Sequence, residues 1–150
     1  MRGWLGRLRR LLRPHAADTR GPLNYAQWRA EQIAARRHHY PPPDPPVAFS
    51  ILTAVHNPPP PFLQALAHSI RCQDYPHFEW VIVDNGCSLA TQRQLTQLTH
   101  DPRVVLVSGG GNRGIVGGLR LALRTARQQY VLPVDHDDEL TPDALRVVAA

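Results

Sequence analysis

Four short apolar runs, each closed by a polar cluster and followed by a helical pattern, constrain this chain more than any other feature. The runs are Val47–Val55, Phe78–Val83, Val104–Val107 and Tyr130–Val134. Dense Val, Ile and Leu over so few residues suit strands buried on both faces of a parallel sheet. Between them, Phe62, Leu63, Leu66, Ala67 and Ile70 recur at helical spacing. Leu89–Thr99, with Leu95 and Leu98 inward, and Ile115–Gln128 repeat the pattern, and Pro142 opens a last helix at the favoured first position. Alternating strands and helices require right-handed crossovers, so the fold class is α/β: a Rossmann-like parallel sheet with helices on both faces. Ligands bind such sheets beyond the carboxyl ends of the strands. The clusters Ala54–Asn57, Asp84–Asn85, Ser108–Gly114 and Asp135–Glu139 all fall there.

Charge and proline divide the chain before that pattern begins. Residues 1–40 hold nine arginines and two acids, net +7, while residues 41–150 hold eight arginines and ten acids, net −2. The sequence therefore divides into a basic helical segment 1–40, a stiff proline-rich linker 41–46, and an α/β domain 47–150. In the first segment Trp4, Leu5, Leu8, Leu11 and Leu12 form one helical stripe with arginines mostly off it. Such a helix reads as an in-plane membrane contact through residues 1–13 or as a solvated helix, and it is too short and charged to span a bilayer. A second helix is expected from Pro22 to His39, with Tyr25, Trp28 and Ile33 on one side. Nucleic acid is not an expected partner, because the body has no basic stripe with interleaved aromatics. Cys72 and Cys87 read as free thiols of a reducing cytoplasm, so the expected location is cytoplasmic, peripheral on the inner face of the cell membrane. The chain has no lysine, which removes Schiff-base chemistry and the phosphate-binding lysines.

The chemistry sits in two clusters. Asp135-His136-Asp137-Asp138-Glu139 places four carboxylates within five residues at a strand end. In extended backbone Asp135 and Asp137 would point to the same side, about 6–7 Å apart. Hard oxygen ligands suit Mg²⁺ or Mn²⁺ shared with substrate phosphates; a solvated helix entry and an acid/base pair are the competing readings. Gly109, Gly111 and Gly114 fit G-x-G-x-x-G with Asp135 about twenty residues on, the form of a dinucleotide-binding fingerprint. That motif belongs to the first strand–helix turn, however, and here it follows the third strand.

Taken in order, five blocks resemble family 2 glycosyltransferases of the GT-A fold. Ser50-Ile51-Leu52-Thr53-Ala54-Val55-His56-Asn57-Pro58 is similar to the first-strand block, and Ser69-Ile70-Arg71-Cys72-Gln73-Asp74-Tyr75-Pro76 to the S-(V/I)-x-x-Q-x-Y-P helix end. Glu79–Gly86 resembles E-x-x-x-V-D-D-G, Asn112-Arg113-Gly114 resembles N-x-G, and Asp135–Asp138 resembles the D-x-D metal motif. Tyr25 and Trp28 resemble a Y-x-x-W that precedes this domain in bacterial members. The resemblance implies an inverting transfer of sugar from a nucleoside-diphosphate donor to a glycan or lipid-linked acceptor in surface polysaccharide synthesis. It implies that Ala54, His56, Asp84 and Asn85 hold nucleobase and ribose, with Asn112 and Gly114 in the same nucleotide-sugar site. Asp135 would reach the sugar and phosphate side, and Asp137 would ligate a Mn²⁺ or Mg²⁺. Two positions depart from the family pattern: Asn85 stands for the second acid of D-D-G, and Arg120 for a downstream asparagine. Family members carry a further half-domain with the acceptor site and an Asp or Glu general base. The resemblance therefore puts the general base beyond Ala150, and the chain is expected to be the donor-binding half, truncated at the C-terminus. A non-catalytic nucleotide-sugar-binding or interaction fragment is the alternative.

Overall fold

The computed structural model describes residues 24–150, which fall into two compact units dividing between Gln32 and Ile33. The proposed membrane stripe at residues 1–13 and the expected helix start at Pro22 lie outside the described residues. Helix α1 spans Tyr25–His39. Asn24 precedes it, and its Oδ1 accepts the Ala26 N–H at 3.0 Å, satisfying one of the donors that a helix start leaves open. Tyr25 and Trp28, three apart, stack at 5.8 Å between ring centroids.

The four apolar runs form a parallel sheet, as expected. Strand β1 is Phe49–Val55, β2 Phe78–Asp84, β3 Val104–Ser108 and β4 Tyr130–Pro133, in the order β3-β2-β1-β4. In β1 and β2 all but Ala54 and Asp84, at the carboxyl ends, are buried, which explains their unbroken apolar runs. The connecting helices are α2 (Pro60–Arg71), α3 (Leu89–Leu98) and α4 (Gly114–Thr125), and α5 (Ala144–Ala149) follows β4. Leu63, Leu66 and Ile70 of α2, Leu95 and Leu98 of α3 and Leu145 of α5 bury one face of the sheet with Ile51, Val55, Trp80 and Ile82. The other face, Leu52, Val81 and Val83, is covered by α4 through Ala122 and Leu119. Trp80, 1% exposed, donates its Nε1–H to Thr53 Oγ1 at 3.0 Å, so the largest buried side chain has its polar atom satisfied. Pro133 is tolerated because β4 is an edge strand: Tyr130 and Val134 donate inward to Ala48 and Leu52, and the alternate position faces outward.

Two helix boundaries differ from the sequence expectation, and both have a hydrogen-bonding cause. Helix α4 ends at Thr125 rather than Gln128, with Ala126 turning out at φ −55° and ψ 134°. Buried Glu79 accepts the Arg127 N–H at 2.7 Å, and buried Ser50 accepts that of Gln128 at 3.1 Å. These long-range acceptors take donors that a longer helix would have used. Helix α5 starts at Ala144 rather than Pro142. The preceding loop is laced to the end of α2: Gln73 donates to Thr141 O (2.7 Å) and accepts from Leu145 N (3.0 Å), while Asp74 N donates to Pro142 O (2.9 Å).

Candidate functional site

The strand order places a topological switch between β1 and β4. From β1 the chain moves outward through β2 and β3, then α4 carries it back across the other face to β4 on the far side of β1. Sheets of this kind bind ligands where successive connections leave in opposite directions, here at the carboxyl ends of β1 and β4. His56 follows β1 at that point and Asp135 follows β4. Helices α2, α3 and α4 start at the same edge; α2 opens on prolines and α3 is capped by Ser88, whereas α4 has neither a side-chain cap nor an acid in its first turn, which leaves its positive end to an anion.

Three of the polar clusters at this edge, after β1, β2 and β3, are bound to one another. His56 Nδ1 lies 3.0 Å from Asn85 O and its Nε2 lies 3.2 Å from Asn112 Nδ2. A carbonyl only accepts, so the proton sits on Nδ1, and Nε2 accepts from the Asn112 amide. The orientation of that amide is fixed in turn, because Asn112 Oδ1 accepts the Gly114 N–H at 2.8 Å. Asn85 is 3% exposed; its Oδ1 accepts Arg113 N at 2.9 Å and its Nδ2 donates to Gly114 O at 3.2 Å. Arg113 reaches back through Nε to Gly109 O and closes the glycine loop. Asp84, expected at the nucleotide, spends one carboxylate oxygen on Cys87 N (2.8 Å) and the other on Gln92 Nε2 (2.8 Å). Burial, reinforced by this nearby carboxylate, pushes the Cys87 thiol above its ordinary range and keeps it protonated.

Of the residues singled out in the sequence, His56, Asn112 and Gly114 are exposed at this edge, whereas Asn85 is buried beneath them. Ala54 is half-buried against α4: a Cβ on Gly118 would stand 2.7 Å from Ala54 Cβ and 3.4 Å from Asn85 Cγ. Gly118 and Gln92 were not among the expected residues. Gly118 could have been suspected only as a glycine inside a helical pattern, where it costs about 1 kcal/mol against alanine and so signals a close approach. Ala150, beyond which the general base is expected, closes the last turn of α5 by donating its N–H to Arg146 O at 3.1 Å and brings no chemistry of its own.

The acidic cluster departs from the spacing argument. Asp138 N donates to Asp135 O at 3.2 Å, so residues 135–138 form a turn and the extended backbone assumed for Asp135 and Asp137 is absent. Both carboxylates are exposed, and Asp137 Oδ1 lies 3.3 Å from His136 Nδ1. Among the described residues no three ligating side chains converge to hold a metal on their own. Both carboxylates are nonetheless hard oxygen donors open to solvent, the chemistry that a cation sharing its shell with water and substrate phosphates takes.

Comparisons with known proteins agree on the kind of domain. The family model described as glycosyl transferase family 2 matches residues 50–150. Uncharacterized protein y4gI of Sinorhizobium fredii is 35% identical over 102 residues, 66% of this chain and 11% of that protein. The succinoglycan biosynthesis protein ExoO of Rhizobium meliloti is 31% identical over 97 residues, 65% of this chain and 27% of its own length. Among solved structures, S. aureus TarS 1–349 in complex with UDP superposes with a TM-score of 0.63 at 26% identity, covering 68% of this chain and 31% of that one.

Proposed function

Because this chain belongs to glycosyl transferase family 2 and has the GT-A fold of its structural neighbours, we propose that residues 50–150 bind the nucleoside-diphosphate sugar donor of a polysaccharide-forming, inverting transferase. The observation that carries the reading is the single edge at the β1–β4 switch, where His56, the Asn112–Gly114 loop and the Asp135–Asp138 turn are presented together. TarS, of the same fold, is described in complex with UDP at 26% identity. ExoO, described by its role in succinoglycan biosynthesis, supports the polysaccharide assignment.

In this reading the residues divide by what they leave free. His56 has both ring nitrogens hydrogen-bonded within the protein, so its ring plane is fixed and its face is preorganised to pack against nucleobase or ribose. Asp84 and Asn85 act through position: Asp84 holds the turn after β2, and Asn85 holds the glycine loop that forms the opposite wall, with Ala54 packed behind it. Asn112 and Gly114 form the rim of that wall at the start of α4, where the helix end favours the diphosphate. Asp137, with Asp135 beside it, would hold a divalent metal, Mn²⁺ or Mg²⁺, which when bound supplies charge neutralisation for the departing nucleoside diphosphate. The acceptor, glycan or lipid-linked, and the general base expected beyond Ala150 belong to the activity of the whole transferase, of whose relatives this chain spans 11% and 27%.

Isothermal titration with UDP- and dTDP-sugars in the presence of Mn²⁺ tests the donor reading. Wild type is expected to bind one donor, and Asp137→Ala to weaken binding tenfold or more, about 1.4 kcal/mol, for loss of one metal-bearing carboxylate. Absence of binding, or binding untouched by Asp137→Ala, contradicts the assignment.

A further inference from the structure

The outer face of α4 carries exposed aliphatic side chains among arginines, and we propose that it is a docking surface for an anionic lipid bilayer. The helix packs on the sheet through Gly118 and Ala122, which turns Val116, Arg120 and Leu123 to the opposite side. Val116 and Leu123, seven residues apart and therefore on one stripe, are 71% and 51% exposed. Arg120 lies between them and Arg124 beside them, so aliphatic and basic side chains share one face. Arg120, Arg124 and Arg127 are exposed and make no ion pair among the described residues.

Charge segregation supports the same partner. Residues 104–134 contain four arginines and no acid, although residues 41–150 as a whole are net −2. A bilayer accepts both halves of such a face: aliphatic groups enter the headgroup–acyl boundary and guanidinium groups pair with lipid phosphates. A nucleic acid would leave Val116 and Leu123 without a role, since backbone-tracking grooves pair basic groups with aromatic platforms. Self-association through this face would set its arginines against their own copies. The helix runs antiparallel to the strands, with its first residue at the edge carrying the candidate site. Docking would therefore lay the strands along the membrane and keep the crevice beside the headgroups. Docking through this face needs no bound nucleotide and is independent of the donor site.

Vesicle co-sedimentation of the full chain decides it, with Trp4→Ala/Leu8→Ala as the parent so that residues 1–13 do not contribute. The parent is expected to bind vesicles containing 30% phosphatidylglycerol and to leave pure phosphatidylcholine vesicles unbound. R120Q/R124Q is expected to lower partitioning about 25-fold, each arginine near an anionic surface being worth about fivefold. V116S/L123S is expected to weaken it too, with an unchanged melting temperature, because these side chains face solvent. Equal partitioning of R120Q/R124Q and its parent overturns the proposal, as does a parent that binds neither vesicle or both alike. It is equally overturned if the substitutions abolish binding to duplex DNA or a concentration-dependent dimer and leave vesicle binding intact.

Discussion

Gly86→Ala is expected to destabilise the protein by about 3 kcal/mol, lowering the melting temperature by about 6–12 °C, and to abolish nucleotide binding. Gly86 has φ +81°, where a side chain costs about 1–2 kcal/mol. An added Cβ would also stand 2.6 Å from Asn112 N and 2.9 Å from Gly111 C. Both are backbone atoms that no rotamer change can clear, so the glycine loop must lift away from the end of β2. That loop bears Asn112, and Asn112 bears the hydrogen bond to His56. One methyl group thus separates the two walls of the crevice. Gly111→Ala is the control: its φ is +125°, but an added Cβ meets nothing within 4 Å. Thermal unfolding and donor titration of both variants should show strain without loss of the contact in Gly111→Ala, and both effects in Gly86→Ala. A Gly86→Ala protein with wild-type stability and binding would contradict the geometry.

The second large effect is expected from Asn85→Asp, which restores the acid seen in the resembling family block. The change keeps the acceptor that takes the Arg113 N–H but removes the donor to Gly114 O. A carboxylate would then face the Gly114 carbonyl and Asn112 Oδ1 (3.5 Å from Asn85 Nδ2) at a position 3% exposed. An unmatched buried acceptor costs about 1–3 kcal/mol and a charged one more, so a loss of about 3 kcal/mol at pH 7 is expected. The pH dependence separates charge from shape. A carboxyl disfavoured in its charged form has a folded pKa above its unfolded one, so its deficit grows as pH rises through the unfolded carboxylate range. Urea unfolding at pH 4 and pH 7 should therefore show the smaller deficit at pH 4. An equal deficit at both would assign the effect to shape, and no deficit would remove Asn85 from its loop-holding role.

How much of this was legible in the sequence follows from the range over which each signal acts. The parallel sheet was legible because Val47–Val55 and Phe78–Val83 are dense in apolar residues along their whole length, a pattern that two-sided burial requires. The convergence of the polar clusters was legible from topology alone, since each followed an apolar run. Side-chain roles were not. Asn85 reads as a ligand only through the resembling family's block; that its side chain also ties down Arg113 and Gly114, 28 and 29 residues on, has no local signal. The same-side argument for Asp135 and Asp137 assumed a strand that had already ended at Pro133. Pro142 carries a helix-start signal that Gln73, far away in sequence, overrides by accepting the Leu145 N–H that the first turn would use. Local patterns set elements; long-range hydrogen bonds set where they end and which side chains remain free.

Mapping backbone amide shifts on titration with UDP and Mg²⁺ tests the central claim most directly, because it reports where the nucleotide sits. Shifts should cluster at residues 56–57, 84–86, 109–115 and 135–138, the loops at the carboxyl edge of the sheet, and Asp137→Ala should shrink them. Shifts confined instead to the apolar groove lined by Val47, Phe49, Val131 and Val148 beside the β4 edge, or no shifts at saturating UDP, would contradict it.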